Sequence, residues 1–227
     1  MEALRRRASP LALRWLGRVE YEEALRLQRQ AADAVKSGGA EVLYLLEHAP
    51  VFTLGRNGSP ADVLLPLDRC RELGISVAES DRGGKVTYHG PGQLVGYPIV
   101  NLSPERRDVK RYVTDLEEVL IRALADFGIT AARSTLRDRV TSVWVGNEKI
   151  AAIGIHISRW VTTHGFAVNV SNEPLDNFVG IVPCGISDGG VTTIERLLGR
   201  APALEDVAAS VLVHFAEVFD REIMAAS

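Results

Sequence analysis

Residues 41–47 most constrain what this chain can fold into, because they place five apolar side chains in succession, Val42-Leu43-Tyr44-Leu45-Leu46. Successive side chains of a strand point to opposite faces of a sheet, so an uninterrupted apolar run is typical of a central strand with both faces covered. We therefore expect a sheet with other layers packed on it. A second short strand, residues 51–54, follows and ends at Gly55.

Three segments repeat their apolar residues at helical spacing, and these are residues 21–36, 111–127 and 204–219. Other segments predict further strands: residues 86–100, broken at Gly90-Pro91-Gly92, a hairpin of residues 142–145 and 149–157, and residues 164–170. This order is not a strict strand–helix alternation. It predicts an α/β (α+β) fold, in which a mixed sheet is flanked by helices.

The length of 227 residues suits one large domain or two small ones. We expect residues 1–15 to be a flexible N-terminal tail and residues 16–227 to be a single catalytic domain. The arginines near the N-terminus are not followed by the apolar segment of a secretory signal. No apolar run approaches the roughly 20 residues that a membrane span needs. A net charge of −3 argues against nucleic acid as the main partner.

The chain has two cysteines, Cys70 and Cys184, and no CxxC motif, which argues against a disulfide scaffold or a cysteine-rich zinc site. A reducing cytoplasm is the expected compartment. The five histidines show no metal-ligand spacing, so we expect no metal and no cofactor.

Cys184 lies in Ile181-Val182-Pro183-Cys184-Gly185-Ile186, a segment framed by proline and glycine. A cysteine near its reference pKa of about 8.5 is only about 3% thiolate at pH 7, so a nucleophilic role requires a neighbour that lowers the pKa. The alternative is a small buried apolar residue, which is the usual fate of an unpaired cysteine. Proline and glycine on either side weaken that alternative without removing it.

Lys149 is the candidate neighbour. If residues 149–157 form a regular strand, Lys149 shares a face with Ala151, Ile153, Ile155 and Ile157. An ammonium at the end of an apolar face would favour a nearby thiolate. The alternative is a lysine that extends to solvent beside a hairpin turn.

Small residues and glycines suggest where a ligand could lie. Ala152 and Gly154 would leave room against the other face of that strand, although close packing explains them equally well. The glycines of residues 82–92 would let backbone N–H groups approach a ligand. His89, in the same segment, is a candidate base, an oxyanion donor or a packed core histidine.

Taken together, these segments resemble the lipoate-protein transferases, the octanoyl-[acyl-carrier-protein]:protein N-octanoyltransferase family. The resemblance rests on RGGKVTYHGPGQ at residues 82–93, TLGR at 53–56, KIAAIGI at 149–155, HGFAVN at 164–169 and PCGI at 183–186. It spans roughly residues 21–198. Lys85 departs from the family pattern, in which glutamine is common at this position.

The resemblance implies a fold similar to the catalytic domain of biotin and lipoate protein ligases. It implies that Cys184 accepts an octanoyl group from octanoyl-acyl carrier protein as a thioester, with Lys149 lowering the thiol pKa. The acceptors would be lysines on lipoyl domains of 2-oxoacid dehydrogenases and on the glycine cleavage H protein. The substrate-binding residues implied are Arg82, Gly83, Gly84, Lys85, Val86, Thr87, Tyr88, His89, Ala152, Ile153, Gly154, Gly165, Phe166 and Ala167.

Two other functions remain open at this point. One is an ATP-dependent lipoate or biotin ligase on the same fold, which would need no nucleophilic cysteine. The other is a non-catalytic module that binds an acyl chain. The second step of the transferase reaction also needs a base, for which Lys149 and His89 are both candidates.

Overall fold

The computed structural model describes residues 9–134, 141–178, 180–181 and 190–225. The helices are α1 (Tyr21–Lys36), α2 (Leu67–Glu72), α3 (Val109–Asp126), α4 (Leu175–Phe178), α5 (Ile194–Leu198) and α6 (Leu204–Phe219). The strands are β1 (Ser9–Val19), β2 (Glu41–His48), β3 (Val51–Leu54), β4 (Ser76–Glu79), β5 (Val86–His89), β6 (Gln93–Ile99), β7 (Ala132–Arg133), β8 (Ser142–Val145), β9 (Glu148–Ser158), β10 (Val161–Asn169), β11 (Gly190–Val191) and β12 (Arg221–Ala225).

The large sheet is mixed, as the sequence predicts. Its described strands follow the order β12-β1-β2-β6-β10-β9-β8-β7, with β11 pairing with β9. The pairs β12–β1, β1–β2 and β11–β9 are parallel. The pairs β2–β6, β6–β10, β10–β9, β9–β8 and β8–β7 are antiparallel. A separate small sheet has the order β4-β3-β5. The predicted fold class is confirmed.

Both faces of β2 are buried, which explains its continuous apolar run. Leu43 and Leu45 belong to the core beneath α3 and α6. Val42, Tyr44 and Leu46 belong to a second cluster, which includes apolar residues of α1. The sheet therefore separates two helical layers, and α1 shares its side with the candidate site described below.

The expected tail of residues 1–15 is too long. Residues 9–15 form most of β1, which pairs on one edge with β2 and on the other with β12. Leu11 is fully buried in this strand, and its burial stabilises β1. Arg14 and Arg18 lie in the same strand and obscure its apolar pattern in the sequence. Within the described ranges, no helix combines the length and apolar character that a membrane crossing requires.

Candidate active site

A cavity of about 330 Å³ opens on the α1 side of the large sheet. Lys149 and nearly all the predicted substrate-binding residues lie around it. Those that line it are Arg82, Gly83, Gly84, Lys85, Val86, Thr87, His89, Ala152, Ile153, Gly154, Gly165, Phe166 and Ala167. The pairing of β9 with β10 brings together the residues at 152–154 and 165–167, and the hydrogen bond from Gly83 N to Ile155 O at 2.9 Å brings the loop at Arg82 to the same place.

Tyr88 is the exception among those residues. Its side chain is 1% exposed and packs in the core of the small sheet, against Phe52 and Phe178. Its hydroxyl accepts a hydrogen bond from Asn177 Nδ2 at 2.9 Å. Because side chains alternate along β5, Thr87 and His89 face the cavity whereas Tyr88 faces away from it.

The floor of the cavity consists of four small residues on two neighbouring strands. Ala152 of β9 pairs with Ala167 of β10, and Gly154 pairs with Gly165. At Gly154 both explanations of the missing side chain hold, namely room for a ligand and close packing. The position lines the cavity, and a Cβ there would also meet Arg82 Cδ at 3.1 Å and Gly83 O at 3.2 Å. The absence of a side chain therefore lets the loop after β4 cross the sheet closely.

A β-bulge places Lys149 on this floor. Val143 pairs with Ala151 and the next residue, Trp144, pairs with Lys149, so Ile150 is an extra residue in β9. The bulge shifts the alternation of side chains, and Lys149 lines the same cavity as Ala152 and Gly154. The prediction that Lys149 shares a face with Ala151 and Ile153 is therefore wrong, since it assumed a regular strand. Lys149 is 7% exposed.

The loop that carries Arg82 is held by neutral hydrogen-bond acceptors and by a second glycine turn. The Arg82 guanidinium donates to Thr53 O at 2.7 Å, to Thr53 Oγ1 at 2.8 Å and to Gly83 O at 2.9 Å. Gly55 N donates to Lys85 O at 2.7 Å, and a Cβ at Gly55 would lie 2.5 Å from Gly84 O. The TLGR and RGGK segments therefore form one structural unit.

Hydrogen bonds connect His89 with the strand that carries Lys149. Gln93 Nε2 donates to Asn169 Oδ1 at 3.0 Å and to Tyr88 O at 3.2 Å, so its Oε1 accepts from His89 Nδ1 at 3.1 Å. Asn169 Nδ2 donates to Thr192 O, and Thr192 N donates to Lys149 O. This arrangement leaves Nε2 as the proton-accepting nitrogen of His89. Burial, then the Coulombic effects of His48 in its protonated form and of Arg82, hold the pKa of His89 well below its usual value.

Sequence reasoning did not select Tyr21, Tyr97 or His164, which also line the cavity. Tyr21 Oη donates to Ser80 Oγ at 2.7 Å. His164 Nε2 donates to Asp81 Oδ1 at 2.7 Å, and the backbone N–H of His164 donates to Gln28 Oε1 at 2.7 Å. Burial lowers the pKa of His164 although Asp81 opposes this effect. His164 begins the HGFAVN segment, so the signal for it was present in the sequence.

Tyr97 is oriented by a buried histidine. His48 Nδ1 donates to Val19 O at 3.0 Å, so its Nε2 accepts from the Tyr97 hydroxyl at 2.7 Å. Burial lowers the pKa of His48 to about 4, and it raises the pKa of Tyr97 well above its usual value. Both side chains are therefore neutral near pH 7.

His48 predicts a loss of stability in mild acid. Its pKa rises from about 4 in the folded state to about 6.5 on unfolding, so protons favour the unfolded chain between those values. We expect this histidine alone to lower the free energy of unfolding by about 2 kcal/mol between pH 7 and pH 5. His48→Gln keeps one donor and one acceptor, and it should reduce the slope by that amount. Urea unfolding at both pH values measures it, and parallel curves for the two proteins would contradict the assignment.

Comparisons with known proteins show the family and the fold of the chain. A model of the lipoyl protein ligase A/B catalytic domain matches residues 20–216. This chain belongs to that family. The octanoyltransferase of Caldicellulosiruptor bescii is 49% identical over 211 residues, which cover 92% of this chain and 91% of that protein.

Two solved structures show that the ligase-family fold extends across the chain. Lipoate-protein ligase A with bound ATP has a TM-score of 0.76 and 18% identity, and the alignment covers 97% of this chain and 90% of that one. Biotin protein ligase from Aquifex aeolicus has a TM-score of 0.52 and 15% identity, with 92% and 68% covered. The predicted likeness in fold to lipoate and biotin ligases is thereby confirmed.

In this ligase-family chain Cys184 lies outside the described residues, but the residues on either side of its segment are described. Ile181 forms a bridge with Val63. Gly190 pairs with Glu148, and Val191 pairs with Lys149. The described chain therefore resumes after the Cys184 segment at β11, directly beside Lys149.

Proposed function

We propose that this chain is an octanoyltransferase that uses Cys184 as its nucleophile. The donor would be octanoyl-acyl carrier protein, and the acceptors would be lysines on lipoyl domains of 2-oxoacid dehydrogenases and on the glycine cleavage H protein. The observation that carries the proposal is the cavity with a floor of small residues, which has the buried Lys149 at one end. We place the reaction in the cytoplasm, where reducing conditions keep cysteine as a thiol.

The first step would exchange one thioester for another. The Cys184 thiolate attacks the octanoyl carbonyl, a new C–S bond forms, and the bond to the carrier sulfur breaks, so the carrier leaves as a thiolate that takes a proton. Because one thioester replaces another, the step is nearly balanced in free energy and needs no ATP. The ammonium of Lys149 would stabilise the attacking thiolate.

The second step would form an amide. The acceptor amine attacks the Cys184 thioester, a C–N bond forms, and the C–S bond breaks to regenerate the thiolate. Lysine has a pKa of about 10.4, so removing its proton at pH 7 costs about 4.6 kcal/mol. A base in the site is therefore required.

Lys149 is the better candidate for this base. Once Cys184 carries an acyl group its negative charge is gone, which would favour the neutral amine of Lys149. His89 is the rival, but burial and nearby positive charge hold its pKa well below the usual value, which makes it a weak proton acceptor. We therefore assign the deprotonation of the acceptor to Lys149.

Intact-protein mass spectrometry tests the nucleophile. Wild type and Cys184→Ser would each be mixed with octanoyl-acyl carrier protein without ATP. We expect one octanoyl group on the wild type and none on the variant. If neither protein gained an adduct, but lipoyl-domain product formed once ATP and free octanoate were added, the ligase function of the structurally similar lipoate-protein ligase A would replace our proposal.

A further inference from the structure

The strand β9 changes its neighbour close to Lys149. From Ser158 to Ala151 it pairs with β10, whereas at Glu148 and Lys149 it pairs with β11. Asn169 is the last residue of β10 and lies at this change of partner. We propose that Asn169 is a positioning residue, which holds Lys149 in the cavity by fastening β11 to β9. This inference rests on the proposed octanoyltransferase function, in which Lys149 activates the thiol.

Two hydrogen bonds lead from the Asn169 side chain to the backbone of Lys149. Asn169 Nδ2 donates to Thr192 O at 3.1 Å, and Thr192 N donates to Lys149 O at 3.0 Å. Because Thr192 directly follows β11, these bonds fix that strand against β9. β11 is two residues long, and a strand so short makes few ladder hydrogen bonds of its own. Its place beside Lys149 therefore depends on the Asn169 amide.

The partners of the Asn169 amide fix its orientation. Thr192 O is a carbonyl oxygen that can only accept, so the Asn169 atom that faces it must be the Nδ2 donor. On the other side, Gln93 Nε2 donates to Asn169 Oδ1 at 3.0 Å and to Tyr88 O at 3.2 Å. Asn169 and Gln93 are also paired across β10 and β6. Rotation of the amide would therefore leave a buried acceptor without its donor.

These polar side chains are buried next to the Lys149 side chain. Asn169 is 5% exposed, Gln93 1% and Thr192 0%. Lys149, Gln93 and Asn169 line a second, small cavity of about 10 Å³. Truncation of Asn169 would enlarge this small cavity and release β11 at the same time. The lysine side chain would then gain room to leave its position in the larger cavity.

The pH profile of octanoyl loading tests this role. We expect Asn169→Ala to slow loading at pH 7 by about threefold to tenfold, the range for the loss of one buried hydrogen bond. The profile should shift to higher pH, and loading should recover near pH 9, where a thiol ionises without help from an ammonium. Damage to the fold would instead lower loading at every pH. Asn169→Leu keeps most of the side-chain volume without its hydrogen bonds and should give the same shift, so the inference does not depend on one variant folding.

A double-mutant cycle with Lys149→Met tests whether Asn169 acts through the lysine. In the Lys149→Met protein, the added Asn169→Ala change should alter loading at pH 7 by less than about twofold, because no ammonium remains to be misplaced. An equal fall with and without the lysine would overturn the inference. Loading at the wild-type rate by both Asn169 variants would also overturn it.

Thr162→Val is the matched control from the other end of β10. Thr162 is fully buried, and its hydroxyl donates to Pro98 O at 2.7 Å and accepts from Val100 N at 3.0 Å. The loss of these bonds should lower stability but leave the pH profile of loading at that of wild type. A shifted profile in this control would overturn the inference. An absence of any adduct on wild type would instead overturn the proposed function.

Discussion

Lys149→Met should slow octanoyl loading at pH 7 by at least about tenfold, because a thiol at its reference pKa of about 8.5 is only about 3% thiolate at that pH. Transfer to the lipoyl lysine should fall by a further 10²–10⁴-fold if Lys149 is also the base. Mass spectrometry of the Cys184 adduct and of the acceptor domain measures the two steps separately. Methionine keeps the unbranched shape of the buried side chain and removes only the ammonium.

The pH dependence separates the two roles of Lys149. At pH 9 the variant thiol ionises without help, so loading should recover, whereas only about 4% of the acceptor lysine is deprotonated and transfer should remain slow. Lys110→Met is the matched control, since Lys110 is exposed on α3, on the other side of the sheet from the cavity. If Lys149→Met loaded and transferred normally at pH 9, Lys149 would not be the base.

Gly165→Ala should lower the free energy of unfolding by about 3–4 kcal/mol, which is near the upper end for single substitutions. A Cβ at this position would lie 2.2 Å from Gly96 O and 2.7 Å from Pro98 Cδ, and the carbonyl belongs to the backbone of the neighbouring strand β6. β10 would have to separate from β6 at the floor of the cavity. For a chain of this size we expect a fall in Tm of about 10 °C, measurable by calorimetry.

Gly83→Ala provides the comparison for this effect. Gly83 lines the same cavity, but the nearest atom to its added Cβ is Ile155 O, at an ordinary contact distance of 3.6 Å. Its Tm should therefore stay within a few degrees of wild type. Equal melting temperatures for the two alanine variants would show that β6 and β10 can separate at little cost, contrary to the packing described here.

The sequence predicted the elements whose patterns are locally complete. The apolar run of residues 42–46 and the helical spacing of residues 21–36 and 204–219 correspond to β2, α1 and α6. The strand β1 was missed because its stability depends on pairing with β2 and β12, and β12 is more than 200 residues away in the sequence. Pairing at such separation leaves no signal in a local pattern.

Residues that line the cavity were predicted where they are glycines or small residues. They were missed where only tertiary contacts bring them to the cavity. Gly154 and the loop at Arg82 could be selected from their residue types, whereas Gly165 was implied by the family resemblance. Tyr21 and Tyr97 could not, since their place in the cavity depends on how α1 and β6 pack together. The face on which Lys149 lies could not be predicted from the sequence either, because a bulge is a property of two paired strands rather than of one of them.

The bulge at Ile150 also has a consequence for how this hairpin can vary between related proteins. Residue types along β8 and β9 can change as long as apolar and small side chains keep their faces. The number of residues between Lys149 and Ala152 cannot increase by one, because a single inserted residue would shift the alternation again and turn the lysine into the apolar layer beneath α3. In this hairpin, the bulge and the residue count together set the face on which Lys149 lies.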